Sequence, residues 1–224
     1  MPRMSPTERR DAIIEAALTV ALRKGFGSTT VRDVAAELGC SSGLIHHYFE
    51  SMDDVLAAAF DQAAGRELAS IEVAMAATDD PIAKLTAFFA SYGRGDQDWA
   101  FQLWLDAWAE AARKPALGAT SRRINVGWQR LLASAIVAGV DSGTFACPDP
   151  DATAWRMLSL LDGLALQIVA HGSVVPREVS VEWSIAATED ELGIARGTLP
   201  RLNAVAAAET AAAGVAAVAA VATR

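Results

Sequence analysis

The sequence predicts an all-α protein, and three observations support that prediction. Apolar residues recur at spacings of three and four along most of the 224-residue chain. Glycine and proline interrupt this pattern where helices are expected to begin or end. No stretch alternates apolar and polar residues for long enough to form a strand. We therefore expect a helical N-terminal domain over residues 1–50 and a larger helical domain over 51–192.

The first predicted helix begins at Pro6-Thr7 and runs to about Lys24, because Gly25 and Gly27 follow it. Proline suits the first turn of a helix, because a backbone N–H at this position would have no intrahelical partner. The residues expected to face inward are Ile13, Ala17, Leu18 and Ala21.

The pattern of residues 29–49 predicts two short helices joined by a tight turn. The first carries an apolar stripe at helical spacing: Val31, Val34, Ala35 and Leu38. Gly39 follows at the point where a helix needs a residue that tolerates positive φ to end. Ser41 or Ser42 can cap the second helix, whose inward residues are Ile45 and Phe49. A helix-turn-helix of this kind places its second helix in the major groove of DNA.

The outward face of the second helix carries side chains that can contact phosphates, thymine methyl groups or base edges: Ser42, Leu44, His46, His47 and Tyr48. Arg3, Arg9 and Arg10 form a basic arm that can reach phosphates or a minor groove, although Arg3 equally suits a solvated terminus. The formal net charge of −8 is unusual for a DNA-binding protein. Acidic and basic residues balance over 1–50, so the excess negative charge lies in the second domain.

After residue 50, the sequence pattern predicts a succession of amphipathic helices. Ser51 caps a long helix to about Ala77, and Pro81 starts another to about Tyr92. Further helices are expected over 99–113, 115–140, 151–170 and 181–192. Residues 193–224 are mostly Ala and Val, whose side chains are too small to anchor a helix to a core. We expect this segment to be a poorly ordered or weakly docked tail.

Composition narrows the class of protein. An apolar fraction of 52% and six tryptophans exclude general disorder. Two cysteines, Cys40 and Cys147, are too few for a disulfide framework and suit a reducing cytoplasm. Neither a signal peptide nor a membrane span is evident, so we expect a cytoplasmic protein.

Metal binding and catalysis find no support in the sequence. Cys40, His46 and His47 are neighbours, but adjacent histidines on a helix point about 100° apart and cannot share a metal. No nucleophile elbow, phosphate loop or zinc-hydrolase signature occurs. We therefore expect no cofactor, no metal and no enzymatic activity.

Aromatic residues of the second domain allow two interpretations. Trp104 and Trp108 share one helix face, and they can serve core and interface packing or can wall a ligand cavity. A carboxylate beside tryptophan faces suits a quaternary ammonium or polyamine, whereas the same walls accept a flat hydrophobic molecule or an acyl chain. The candidate ligand-binding residues are Phe88, Trp104, Asp106, Trp108, Trp128 and Asp162.

The stretch GSTTVRDVAAELGCSSGLIHHYFESMDDVLAAAF resembles the N-terminal domain of TetR-type transcriptional regulators, and WLDAWAEAARKPAL is similar to their BetI-like branch. This resemblance implies a homodimer that binds a palindromic operator in double-stranded DNA and is released by a small-molecule effector. The alternatives are a ligand-binding protein that does not bind DNA and, with less support, an all-α enzyme. The resemblance implies DNA contacts from Thr29, Thr30, Arg32, Ser41, Ser42, Gly43, Leu44, His46, His47 and Tyr48.

Two further expectations follow from the same resemblance. The family often has Lys at the start of the fourth helix, where this chain has Met52, Asp53 and Asp54, so a phosphate contact is replaced by repulsion. The last two helices are expected to pair across a dimer axis through apolar residues that a lone subunit leaves partly exposed. These residues are Leu158, Leu161, Ala165, Ile168, Val181, Ile185 and Leu192.

Overall fold

The computed structural model describes residues 4–92, 98–171 and 175–200. These ranges contain ten α-helices and no strand, which confirms the all-α class. None of the described helices is long and apolar enough to cross a membrane. The helices are α1 (Pro6–Lys24), α2 (Val31–Leu38), α3 (Ser42–Tyr48), α4 (Met52–Phe60), α5 (Arg66–Ala76), α6 (Pro81–Tyr92), α7 (Asp98–Ala111), α8 (Pro115–Asp141), α9 (Pro150–His171) and α10 (Arg177–Glu191).

Local signals set the boundaries of α1 as predicted. The Ser5 hydroxyl accepts a hydrogen bond from the Glu8 backbone N–H at 3.2 Å, and the Glu8 carboxylate accepts one from the Ser5 N–H at 2.6 Å. This reciprocal pair satisfies two N–H groups that the helix itself leaves without partners. Gly25 ends the helix with φ 79°, a conformation that side chains rarely adopt.

The helix-turn-helix forms between α2 and α3. Thr30 and Asp33 cap α2 reciprocally, and Gly39 ends it in the left-handed region at φ 66°. Ser41 precedes α3 with extended backbone, but its side chain makes no capping hydrogen bond. These two helices enclose a core together with α1 and α4. Leu18, Val31 and Leu38 are only partly buried in it. Its buried members are Ile13, Ile14, Ala16, Ala17, Val34, Ala35, Ile45, Phe49, Val55 and Ala59.

The helix predicted over 51–77 is divided in the structure. Ser51 caps α4 by accepting a hydrogen bond from the Asp54 N–H, as expected. A π-helical turn, Asp61–Gly65, then separates α4 from α5. Such turns are rare and occur often at functional sites. The flanking residues Phe60 and Arg66 keep helical backbone, so the prediction of one continuous helix missed only this turn.

Helix α10 begins at Arg177, four residues before the predicted start at Val181. The inward face of its first turns is polar, since Ser180, Ser184 and Thr188 are all buried. Each of these hydroxyls donates to the carbonyl four residues earlier, which satisfies it inside the helix. An apolar pattern therefore underestimates the length of this helix.

The described residues form two compact units. The first is drawn from Met1–Ser70 and Asp96–Trp128, and the second from Ile71–Gly95 and Gln129–Arg224. We refer to them as the first and second unit. The boundary predicted at residue 50 separated the helix-turn-helix from the rest, whereas the first unit also includes α4, α7 and the first half of α8.

Residues 193–200 pack onto the second unit, unlike the loosely attached segment that the composition suggested. The carboxylate of Glu189, which is 2% exposed, accepts hydrogen bonds from the N–H groups of Gly197 and Leu199 at 3.0 and 2.8 Å. The Leu199 side chain is buried as well. The buried Leu199 side chain and the buried Glu189 acceptor thus anchor this segment, which Ala and Val could not do. The rest of the predicted tail, from residue 201 onwards, lies outside the described residues.

The apolar residues expected to be exposed on the last two helices are mostly buried within the second unit. Leu158, Leu161, Ala165, Val181, Ile185 and Leu192 are buried, and Ile168 is partly buried. This part of the prediction was wrong: α9 and α10 pack on each other, and a single chain already buries most of these side chains. The large apolar residues that remain exposed on the two helices are Trp155, Leu166 and Trp183, at 40%, 42% and 53%.

Candidate nucleic-acid interface and effector residues

Helix α3 divides sharply into anchoring and exposed residues. Ile45 and Phe49 are buried in the core. Ser41, Gly43, His46 and His47 are exposed, and Ser42, Leu44 and Tyr48 are partly exposed. The rings of His47 and Tyr48 meet edge to face with centroids 5.1 Å apart. The helix therefore presents a polar and aromatic face of about two turns, held from beneath by two apolar anchors.

The two threonines before α2 have different roles. Thr29 is 4% exposed, and its hydroxyl donates to the carbonyl of Gly25 at 2.8 Å. Its side chain is thus occupied inside the domain, which does not fit the phosphate contact that the resemblance implied. Thr30 is exposed and caps the helix together with Asp33. Thr30 and Arg32, which is also exposed, are the residues that the N-terminus of α2 presents to solvent.

Ion pairs neutralise part of the basic charge near the helix-turn-helix. Lys24 lies 2.7 Å from Asp33, and Arg23 lies 2.5 Å from Glu37. The hydrogen bond from Lys24, with those from Thr30, lowers the pKa of Asp33 to about 2, so this partner stays ionised near neutral pH. The Arg10 guanidinium lies 4.8 Å from the centroid of the Phe49 ring. This contact fixes one cation of the predicted basic arm at the end of α3.

The aspartates at the start of α4 have structural partners. Asp53 accepts hydrogen bonds from the N–H groups of Ala116 and Leu117 at 2.8 and 3.1 Å, and thereby caps α8. Asp54 accepts a hydrogen bond from the Ser51 hydroxyl at 2.7 Å. The sequence suggested only repulsion of phosphate at these positions. The position of Asp53 is explained instead by the unsatisfied N–H groups of a helix start in the same unit.

An aromatic cluster forms within the first unit. Phe60 packs edge to face on Phe26 and on Trp104, with ring centroids 6.0 and 4.8 Å apart. Trp104 also contacts Trp108 at 5.4 Å. Phe26 and Phe60 are fully buried, whereas the two indoles are partly exposed. Trp104 and Trp108 therefore share one face, as their spacing predicted, and part of that face serves core packing.

Asp106 lies beside the end of α1. Its carboxylate accepts a hydrogen bond from the Gln102 side chain at 3.2 Å, and a Cβ added to Gly25 would lie 3.2 Å from one of its oxygens. Burial raises the pKa of Asp106, and the nearby negative charge of Glu110 adds to the effect. One oxygen of this candidate ligand-binding carboxylate is thus already occupied.

Phe88 and Asp162 belong to the second unit. Phe88 is fully buried and packs on the rings of Phe89 and Tyr92, with centroids 5.3 and 5.1 Å away. Asp162 is half-buried on α9, and burial raises its pKa to about 7. It accepts no hydrogen bond from the described residues. A carboxyl group in this state can release its proton near neutral pH when a cation approaches.

Sequence reasoning missed one polar residue of the first unit, Glu67 on α5. Glu67 is half-buried, and burial raises its pKa. The available signal was a carboxylate three residues after the buried Ala64, on the inward side of the helix. Among the described residues, no group of three or more His, Cys, Asp or Glu side chains is arranged to hold a metal ion.

Two family profiles match the chain. Residues 13–59 match the bacterial regulatory proteins of the tetR family, and residues 81–193 match the C-terminal domain of BetI-type transcriptional repressors. The HTH-type transcriptional regulator BetI of Rhizobium meliloti (strain 1021) is 31% identical over 196 residues, which cover 85% of this chain and 91% of that protein. The chain belongs to the TetR family of transcriptional regulators.

Two other similar proteins agree with this assignment. The HTH-type nicotine-responsive transcriptional repressor HdnoR of Paenarthrobacter nicotinovorans is 25% identical over 177 residues, 76% of this chain and 89% of that protein. A solved transcriptional regulator from Pseudomonas aeruginosa PAO1 has a TM-score of 0.73 at 26% identity, covering 85% of this chain and 92% of that chain. The protein is thus a ligand-responsive, DNA-binding regulator of the BetI type and not an enzyme.

Proposed function

We propose that this protein represses transcription by binding a palindromic operator as a homodimer, and that a small cationic effector releases it. The observation that carries the proposal is the exposed polar face of α3 above its buried anchors, Ile45 and Phe49. A helix held in this way can enter a major groove without losing its packing. A ligand-binding protein that never binds DNA would have no use for such a face.

The exposures of the individual residues refine the proposed contacts. Base contacts fall to the first turn of α3, and phosphate contacts to the residue before α3, to its last turn and to the exposed residues at the start of α2. The base-contacting set is Ser42, Gly43 and Leu44, and the phosphate-contacting set is Thr30, Arg32, Ser41, His46, His47 and Tyr48. Thr29 is not among these contacts, because its hydroxyl donates a hydrogen bond to the Gly25 carbonyl at the end of α1.

Two pairs of variants should separate phosphate contacts from base contacts. Replacing Arg32 with Ala or Tyr48 with Phe should weaken binding to specific and random DNA by similar factors. Loss of the cation at Arg32 should also lower the salt slope of the affinity by about 1. Replacing Ser42 or Leu44 with Ala should change which bases are preferred, since these residues face base edges.

Fluorescence anisotropy with labelled operator and scrambled duplexes measures both effects. Each pair serves as the control for the other, because all four substitutions lie within the same small domain. Identical behaviour of the two pairs on both duplexes would contradict this division of contacts.

We place the dimer contact on the exposed apolar residues of α9 and α10. Trp155, Leu166 and Trp183 expose large apolar surfaces that a second copy would cover. Light scattering should report twice the mass of the chain. Replacing Trp183 with Glu should shift the mass to that of a monomer, whereas Val73→Glu, on the exposed face of α5, should not. A wild-type protein that remains monomeric at micromolar concentration would overturn this assignment.

Release by an effector requires that the effector bind one conformation more tightly than the other. The candidate effector residues remain Phe88, Trp104, Asp106, Trp108, Trp128 and Asp162. The half-buried carboxylates among them favour an amine over a neutral hydrophobic molecule. The name of the nicotine-responsive relative also supports an amine.

A further inference from the structure

Lys24, Asp33 and Thr30 form one connected polar group where α1 ends and α2 begins. Lys24 is the last residue of α1, and its Nζ lies 2.7 Å from Oδ1 of Asp33. The other carboxylate oxygen, Oδ2, accepts hydrogen bonds from the N–H and the hydroxyl of Thr30 at 3.0 and 2.7 Å. One oxygen of Asp33 therefore binds the cation of α1, and the other binds the capping residue of α2.

The start of α2 needs the carboxylate of Asp33. The Thr30 hydroxyl accepts a hydrogen bond from the Asp33 N–H at 3.3 Å, so the two residues cap the helix reciprocally. A negative charge in the first turn also interacts favourably with the N-terminal end of the helix dipole. Asp33 thus stabilises the turn at which the helix-turn-helix begins.

The same negative charge is unfavourable for an approaching DNA backbone. Thr30 and Arg32 are exposed and belong to the proposed phosphate contacts. Oδ2 of Asp33 is in hydrogen-bond contact with the Thr30 hydroxyl, so a phosphate bound at Thr30 would lie close to the carboxylate. Like charges that are so close repel each other even in water. DNA affinity therefore depends on what compensates the charge of Asp33.

Protonation does not remove this charge near neutral pH. The hydrogen bond from Lys24, followed by those from Thr30, lowers the pKa of Asp33 to about 2. Among the described residues, Lys24 is the one cation that forms an ion pair with Asp33, and the neighbouring Arg23 pairs with Glu37 instead. Compensation of the carboxylate thus falls to a residue of α1.

We infer that Lys24 is a positioning residue for DNA binding, which acts through Asp33 and not by contacting DNA itself. Its cation neutralises the carboxylate that caps α2, so a phosphate can approach the start of this helix without net repulsion. The effect applies to any DNA sequence, because phosphate contacts carry no sequence information. This inference rests on the proposed function, since it requires phosphates to contact the exposed start of α2.

The test is a double-mutant cycle on Lys24 and Asp33 in the full-length protein. Fluorescence anisotropy at low salt measures the affinity for a labelled duplex of random sequence. Lys24→Met should weaken binding roughly three- to tenfold, because it leaves the carboxylate uncompensated in each subunit. Asp33→Asn should bind at least as tightly as wild type. The double variant should return to within about twofold of the wild-type affinity.

Two further variants serve as controls. Lys24→Arg keeps the cation and should rescue most of the affinity that Lys24→Met loses. Glu37→Gln also removes a negative charge that pairs with α1, but this charge lies about one helical turn further from the start of α2. Combined with Lys24→Met, Glu37→Gln should restore clearly less affinity than Asp33→Asn does. Circular dichroism of each variant checks that the helices are folded.

Salt and stability provide readouts that a purely structural role would not produce. The difference in affinity between wild type and Lys24→Met should shrink as salt is raised, because repulsion between exposed charges is screened. Asp33→Asn should lower the thermal stability, because the amide has one acceptor oxygen and no charge. Its undiminished DNA affinity would separate the effect of the charge on DNA from its effect on the cap.

The inference falls on any of three results: Lys24→Met binds like wild type, Lys24→Met causes an equal loss in wild type and in Asp33→Asn, or Glu37→Gln restores as much affinity as Asp33→Asn. The second result would make Lys24 a direct phosphate contact.

Failure of the proposed function has a different signature, which Arg32→Ala reports. If Arg32→Ala weakens binding and the cycle shows no coupling, the proposed contact at α2 stands and the role of Lys24 is wrong. If Arg32→Ala leaves the affinity unchanged while the cycle shows coupling, the contact proposed for Arg32 is wrong and compensation by Lys24 stands.

Discussion

Replacing Phe60 with Ala is expected to lower the free energy of unfolding by about 3–5 kcal/mol, the cost of removing a buried aromatic side chain. Phe60 is fully buried and is the last residue of α4 before the π-helical turn. Its ring contacts Phe26 next to the end of α1 and Trp104 on α7. Truncation would leave a cavity where these three elements meet, and neighbouring aromatic rings could fill it only in part.

Urea unfolding followed by circular dichroism measures this loss. Phe60→Leu retains most of the apolar volume and should lose clearly less, and Val73→Ala, at a 72% exposed site, should lose almost nothing. A loss below about 1 kcal/mol for Phe60→Ala would contradict the central position that we give to this ring.

Replacing Asp53 with Ala is expected to cost about 1–3 kcal/mol of stability. The carboxylate accepts two backbone N–H groups at the start of α8, and its negative charge interacts favourably with that end of the helix dipole. Alanine would leave both N–H groups without this partner.

Asp53→Asn separates the charge from the hydrogen bond. The amide keeps one acceptor oxygen and should cost less than Ala, since it removes the charge but retains one cap bond. Glu50→Gln, at an exposed site shortly before α4, controls for the change in net charge. Thermal denaturation gives the order of stability. An Asp53→Ala protein as stable as wild type would contradict the cap.

The parts of the fold that could be predicted from the sequence depend on local signals. Pro6 and the glycines at 25 and 39 act within a few residues of themselves. They therefore predicted the two ends of α1 and the C-terminal end of α2 accurately. The same locality explains why Ile45 and Phe49 were assigned correctly as the anchors of α3.

The roles that sequence reasoning missed depend on distant partners. Asp53 caps a helix that begins 62 residues later, at Pro115, which no local pattern can reveal. The raised pKa of Glu67 comes from burial, which depends on how the folded chain packs around α5. Thr29 was expected at the protein surface, but its hydroxyl is bound to Gly25. Contacts of this kind emerge only when the chain has folded.

Protection of DNA from cleavage tests the central claim most directly. Purified protein should be incubated with the DNA upstream of its own gene, and the cleavage pattern read at single-nucleotide resolution. We predict two protected half-sites whose centres lie about one helical turn of DNA, or a multiple of it, apart. Protection should be lost when the half-site bases are scrambled. Uniform protection that is independent of sequence, or no protection at any protein concentration, would contradict the assignment of this chain as an operator-binding repressor.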